Sequence, residues 1–156
     1  MGKTSIRKRS HRPLTRNKNR TGGKRIRVAD VMTSHVANLK PSDSFDQAVS
    51  LIANRHFHHF VVVNEAGRIS GVVSDRDILR AVTRTANWQT KSVGEIMTRE
   101  PLTVSPETPV YDAIAHMLSK RINSLPVVDD SGVVCGIVTS TDFLKSYYKL
   151  LESLDK

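Results

Sequence analysis

Gly71-Val72-Val73-Ser74-Asp75-Arg76-Asp77 returns 65 positions later as Gly136-Ile137-Val138-Thr139-Ser140-Thr141-Asp142. Each copy runs from a glycine through two β-branched residues to a hydroxyl residue, with an aspartate three places on. The β-branched pair predicts the end of a strand. The hydroxyl and acid predict a helix start: Ser74 and Thr139 are N-caps, and Asp77 and Asp142 close capping boxes with Asp in place of the usual Glu or Gln. The offset holds outward without gaps. Val28-Ala29-Asp30-Val31-Met32-Thr33 answers Val93-Gly94-Glu95-Ile96-Met97-Thr98, and Pro41, Ala48, Val62-Val63 and Gly67 answer Pro106, Ala113, Val127-Val128 and Gly132. Pairing residues 28–80 with 93–145 gives twelve identities in 53 positions. Two repeats are too few for a solenoid, so a pseudo-symmetric pair is expected.

Both repeats predict the order β-α-β-β-α. A short strand lies near Val36–Leu39, and in the second copy near Leu102–Val104, each ended by Pro41 or Pro106. Ser44 and Gln47 then form a capping box, while in the second copy Thr108 is the cap and Pro109 the first helical residue. Ala48, Val49, Ile52 and Ala53 have helical spacing, as do Val110, Ala113, Ile114, Met117 and Leu118. Strands at Phe60–Asn64 and Arg68–Val73 flank Glu65-Ala66-Gly67, a turn whose glycine suits positive φ. Leu125–Asp129 and Val133–Val138 flank Asp130-Ser131-Gly132 likewise. Phe60-Val61-Val62-Val63 is apolar without alternation, which predicts a sheet covered on both faces. Closing helices follow at 75–84 and 140–153. The fold class is therefore α+β, with two β-α-β-β-α repeats at 28–84 and 93–150 packed sheet to sheet, a polar linker at 85–92 and a tail at 151–156.

Charge divides the chain of 156 residues unevenly. Residues 1–27 hold eleven Lys and Arg and no acid, whereas 28–156 hold thirteen against fifteen acids. The first 27 residues lack apolar periodicity and carry Pro13 and Gly22-Gly23, so they are expected to be a disordered basic arm. Gly2-Lys3-Thr4 is no P-loop without a preceding strand and glycine. Ile6 stands where myristoylation needs Ser or Thr. The arm resembles a transit peptide in composition but lacks its amphipathic face. What remains is a flexible polycation, either a solubilising tail or a non-specific contact for nucleic acid or an acidic partner. With no aromatic residue, it offers no ring for base stacking. No apolar run approaches the ~18 residues of a membrane span and no secretory h-region follows Met1. Cys135 is the single cysteine, which excludes an internal disulfide and suits a reducing cytoplasm.

The two G-h-h-[ST]-x-x-D stretches resemble the signature of CBS domains. The openings at Asp30-Val31-Met32-Thr33 and Glu95-Ile96-Met97-Thr98 resemble that family's start, and Arg121-Ile122-Asn123-Ser124-Leu125-Pro126-Val127-Val128 its central segment. The resemblance covers residues 28–150. It implies a Bateman module: two CBS repeats about a pseudo-two-fold axis with two clefts, often paired into a disc-shaped homodimer. Such modules are non-catalytic sensors of adenosine nucleotides or adenosyl compounds. By resemblance the first cleft uses Val72, Ser74, Arg76, Asp77, His58, His59, Pro101 and Leu102. The second uses Ile137, Thr139, Thr141, Asp142, Asn123, Ser124, Val36 and Ala37. Asp77 and Asp142 would hold ribose hydroxyls, Ser74 and Thr139 would face phosphate, and the apolar segments would sandwich the base.

The residue chemistry suits these roles. A helix start exposes amide donors and partial positive charge to phosphate, and an ionised Asp accepts from two hydroxyls. Gly71 and Gly136 would allow close backbone approach beside the base. A cap alone also accounts for each motif, and one hydroxyl can serve both roles. Arg76, answered by Thr141, predicts tighter binding of phosphorylated ligands in the Asp77 cleft. His56, His58 and His59 suggest a metal, but His58 and His59 straddle a strand start and should face opposite ways; no metal site is expected. Protonated histidine beside phosphate would instead strengthen binding near pH 6. Cys135 lacks an activating base, Trp88 should pack on the module surface, and no catalytic constellation appears. The leading reading is a regulatory module needing no cofactor, with AMP, ADP or ATP as its ligand, a homodimer acting on an unidentified protein partner. The alternative is a dimeric interaction protein whose arm contacts nucleic acid or an acidic partner while its clefts stay unused.

Overall fold

Ser44 starts the first long helix by the rule read from sequence. Its amide donates to Gln47 Oε1 at 2.7 Å, and its Oγ accepts from Gln47 N at 3.2 Å. This is a computed structural model, and it describes residues 25–55 and 58–155; residues 1–24 of the basic arm and His56 lie outside them. Helix α1 spans Phe45–Arg55, and the β2–β3 hairpin (His59–Val63, Ile69–Ser74) runs into α2 (Asp75–Arg84). The second repeat adds α3 (Val93–Ile96), β4 (Thr98–Arg99), α4 (Val110–Lys120), the β5–β6 hairpin (Ser124–Val128, Val134–Thr139) and α5 (Ser140–Leu154). The turn glycines Gly67 and Gly132 have φ of 71° and 81°, the left-handed region that a Cβ disfavours.

Three local expectations shift. The first opening strand is only β1, Asn38–Leu39, parallel to β2, and the second copy forms a single parallel bridge, Val104 to Val127. Pro109 takes the cap position of α4 rather than its first turn, and Thr108 Oγ1 instead accepts from Ser105 N at 3.1 Å. The linker is more ordered than its polarity suggests. Trp88 packs on fully buried Phe45 with ring centroids 4.8 Å apart and the planes tilted by 55°, and Lys91 O accepts from Phe45 N at 3.0 Å.

The repeats exchange their openings. The first sheet has the order β1-β2-β3-β4, and β4 comes from the second repeat, pairing antiparallel with β3 through Gly71 and Val72. Reciprocally, Thr33 of the first repeat bonds Ile137 of β6: Thr33 N donates to Ile137 O at 2.9 Å and Ile137 N to Thr33 O at 3.0 Å. Here the signature glycines do their work. A Cβ on Gly71 would lie 2.6 Å from Met97 Sδ and 2.8 Å from Thr98 O; one on Gly136 would lie 2.8 Å from Thr33 O. The close approach at these glycines is to the exchanged opening.

Burial follows the same exchange. Phe60 and Val62 join Leu39, Ala48 and Val73 in the first core, completed by Val93 of the second repeat. Val61 and Val63 face the other way onto Ile137, which explains the unalternating apolar run. Val28 is fully buried in the second core with Leu125, Val127 and Val138, a burial worth ~1.5–3 kcal/mol. Just before it, Ile26 O accepts from Val110 N at 3.0 Å, and Arg27 pairs with Glu107, so the end of the basic segment is tied to α4. The two hairpin tips also join, with Ile69 N donating to Gly132 O at 3.2 Å and Val134 N to Gly67 O at 3.1 Å. Among the described residues no helix is long and apolar enough to cross a membrane.

Candidate functional site

Because Thr33 is bonded to β6, the chain that follows it lies against the second repeat's signature. The result is a cavity of about 420 Å³ on the seam between the repeats, within the ~300–1,000 Å³ of small-molecule sites. One wall is the first repeat's opening, Thr33, His35, Val36 and Ala37. Facing it are Asn123, Ile137, Thr139, Ser140, Thr141, Asp142 and Lys145 of the second repeat. His58, His59, Phe60, Asp75 and Arg76 of the first repeat line it as well. A second hollow of about 430 Å³ beside α1 has Asp43 and Asp46 on its wall and no cationic side chain, so it would repel an anion.

Both signatures are closed capping boxes. Thr139 N and Thr139 Oγ1 donate to Asp142 Oδ2, each at 2.8 Å, and Asp142 N returns a bond to Thr139 Oγ1 at 3.3 Å. Ser74 and Asp77 repeat the pattern at 2.9, 2.8 and 3.3 Å. They differ at the second carboxylate oxygen. Asp77 Oδ1 accepts from Arg80 at 3.2 Å, and Asp77 is buried at 8% exposure. Asp142 is half-buried, and its Oδ1 has no such partner among the described residues, although Lys145 stands where Arg80 does.

The cavity therefore gathers the second predicted set almost whole: Val36, Ala37, Asn123, Ile137, Thr139, Thr141 and Asp142, without Ser124. From the first set it takes His58, His59 and Arg76; Val72, Ser74, Asp77, Pro101 and Leu102 do not line it. Arg76 is expected to charge the Asp77 cleft; it is the second residue of α2 and lines a cavity with Asp142. His58 and His59 were expected to point apart, yet both line this one cavity. Strand alternation applies only from His59, where β2 begins. Lys145 was legible, lying one helical turn beyond Asp142; His35 precedes Val36 and carried no signal of its own.

The electrostatics are mixed. His58 Nδ1 lies 3.2 Å from Asp75 Oδ2. Burial pushes the His59 pKa below its usual 6.5, against the opposing hydrogen bond with Asn123 and the charge of Asp75. Cys135 donates through Sγ to Val127 O at 3.4 Å, and burial raises its pKa, so the thiol is held protonated. Among the described residues no three His, Cys, Asp or Glu side chains gather as metal ligands would.

An exchanged pair of G-h-h-[ST]-x-x-D lobes around a seam cavity defines a tandem module, and comparison with known proteins gives its class. The chain belongs to the CBS domain family, matched at residues 28–84 and again at 93–149. The homoserine O-acetyltransferase of Methanococcoides burtonii is 37% identical over 115 residues, which are 74% of this chain and 23% of that protein. The chain thus spans about a quarter of the length of this curated relative. The CBS domain pair of protein MJ0100, solved with 5′-methylthioadenosine and S-adenosyl-L-methionine, has a TM-score of 0.74 at 28% identity, covering 81% of this chain and 98% of that one. CBSX2 of Arabidopsis thaliana, solved with AMP, has a TM-score of 0.72 at 31% identity, covering 80% and 97%. CBS pairs similar to this one thus bind adenosine compounds, and a ligand-sensing role for this chain has that support.

Proposed function

We propose that this chain is a non-catalytic regulatory module that binds an adenosine-bearing ligand in the seam cavity. The observation that carries this reading is the meeting of Val36–Ala37 from one repeat with Ile137, Thr139 and Asp142 from the other. Asp142 Oδ1 accepts from the ribose hydroxyls, the apolar residues flank the base, and Thr139 Oγ1 turns toward phosphate. A ligand touching both repeats favours one relative packing of the lobes over another, and that difference is what a partner protein reads. The adenosine compounds bound by similar CBS pairs support this ligand class.

The module acts as a homodimer in the cytoplasm. Supporting the dimer, α5 has no buried residue, and Leu144, Tyr147, Leu151 and Leu154 lie exposed at heptad spacing along it, a pattern that a second helix covers. Leu79 is the first repeat's equivalent of Leu144, and the two are 63% and 68% exposed. The nucleic-acid reading rests on residues 1–27, and nothing among the described residues favours it.

Thermal shift of the full chain with AMP, ADP, ATP, NAD and S-adenosylmethionine tests the ligand. A compound at 100 times its dissociation constant adds about 2.7 kcal/mol of stability. If every compound leaves the melting point unmoved at millimolar concentration, the adenosine reading fails.

A further inference from the structure

We infer that residues 25–37 form a strap that carries the state of the seam cavity to the root of the basic arm: a ligand in the cavity holds the root seated on α4, and without one the root opens more often. The ligand in this inference rests on the adenosine reading above; the strap does not.

Three observations carry it. First, the strap belongs in sequence to the first repeat and lies along the second. At its root Ile26 O accepts from Val110 N at 3.0 Å, Val28 N donates to Thr108 O at 2.8 Å and Ala29 N to Pro106 O at 2.9 Å. Its middle is Thr33, with both bridge bonds to Ile137. Its far end, His35, Val36 and Ala37, lines the cavity.

Second, there is no slack between root and bridge. Val28–Asp30 is a single 3-10 turn. Val31 N and Met32 N both donate to Val28 O, at 3.0 and 2.9 Å, and Arg27 N donates to Asp30 Oδ2 at 2.8 Å. A displacement at Thr33 is therefore passed to Val28 and Arg27 rather than absorbed. A ligand that needs His35–Ala37 in place binds the seated strap and not the lifted one, and that differential affinity is what couples cavity to root.

Third, the mirror strap of the second repeat is clamped where this one is not. There Val93 N and Gly94 N make the same bonds, to Asp43 O and Pro41 O. Its Pro101 and Leu102 do not line the cavity, however, and Trp88 secures its upstream side by packing on Phe45. The residue at the position of Trp88 before the first strap is Gly23, which has no side chain for such a clamp, and half-buried Val110 stands for Phe45. Side-chain support for this root comes from Arg27 on Glu107, an exposed ion pair of a kind worth little. This strap thus joins the cavity to residues 1–27, with their eleven Lys and Arg and no acid.

Limited trypsin digestion of the full chain tests this, read by mass as the appearance of the product that begins at Val28. Cleavage after Arg27 requires the root to open, and its rate follows the open population. AMP, first shown by calorimetry to bind, should slow this cut about 10- to 100-fold at 100 times its dissociation constant. Without ligand, Gly136→Ala displaces Thr33 and should be cut at least about 5-fold faster than its mirror Gly71→Ala, the factor for one lost backbone bond. Glu107→Gln, exposed and outside the cavity, should be cut about 1.5- to 5-fold faster than the parent. Equal rates in the two glycine variants overturn the strap, and so does bound AMP that leaves the cut after Arg27 unslowed. Should the glycine variants fold too poorly to compare, an unchanged cut in Glu107→Gln overturns it. If neither AMP nor any compound of the thermal screen binds, the adenosine reading fails, while the ligand-free comparison of the glycine variants still decides the strap.

Discussion

Gly136→Ala and Gly71→Ala are a matched pair that separates the structural from the ligand-binding role of the exchanged openings. At Gly136 the new Cβ would stand 2.8 Å from Thr33 O and 3.0 Å from Met32 Sδ. Ordinary contact begins near 3.4 Å, so Thr33 must retreat by roughly half an ångström. Its carbonyl is the acceptor for Ile137 N at 3.0 Å. The retreat therefore weakens a backbone bridge bond worth about 1 kcal/mol and adds overpacking of about 1–3 kcal/mol. We expect a loss of about 2–3 kcal/mol, or roughly 6–10 °C in Tm for a chain of this size. At Gly71 the crowding falls on Met97 and Thr98, with a similar stability loss. The two should differ in binding. Thr33 and the following His35–Ala37 line the seam cavity, but Met97 and Thr98 do not. Gly136→Ala should therefore weaken adenosine-ligand binding more than Gly71→Ala at matched stability, measured by calorimetry well below both melting points. A Gly136→Ala protein that melts within about 2 °C of the parent would refute the close approach. Equal affinity losses in the two variants would refute the link from exchanged opening to cavity.

Acid should destabilise the fold through His59. Its folded pKa lies below 6.5, so above 6.5 both states are neutral; as pH falls through 6.5 the unfolded chain takes a proton that the folded one resists, and stability declines, by at most about 1.4 kcal/mol per pH unit for this one group. Urea midpoints at pH 7.5 and 5.5 check this, and an unchanged difference in His59→Gln rules the residue out. A protonated His59 is thus scarcer at pH 6 than its sequence suggests, and the gain in phosphate binding toward acid should be shallow. Leu144→Glu should dissociate the proposed homodimer while leaving the monomer's melting cooperative, since Leu144 is 68% exposed; light scattering that reports an unchanged mass would place the interface elsewhere.

What was legible in the sequence was local. Ser44, Ser74 and Thr139 cap helices because a hydroxyl and a partner three residues on meet within one turn, and Gly67 and Gly132 mark hairpins because their backbone demands it. The repeat also made the pseudo-symmetry legible. What escaped depends on the other repeat. Thr98 and Arg99 form a strand only because β3 of the first repeat is beside them, and neither their composition nor their length signals it. Gly71 and Gly136 announce a close approach, but only the exchanged opening says to what. The site divides the same way. Asp142 and Thr139 were readable from their motif, whereas the company Arg76 keeps depends on how two helix starts meet across the seam. Proline at 109 misled by one position because its fixed φ, here −59°, suits the extended backbone of a cap as well as a first turn.

The exchanged openings also bear on how the molecule could be divided. Cut within 85–92, the chain would yield two pieces, each carrying a strip that belongs to its sibling's hydrophobic interior: Val28 goes with the first piece but is interred in the second, and Val93 the reverse. Neither fragment should hold a native shape by itself. Mixed together they should knit into one body, making this protein a natural candidate for a split reporter whose reassembly a ligand at the join would promote.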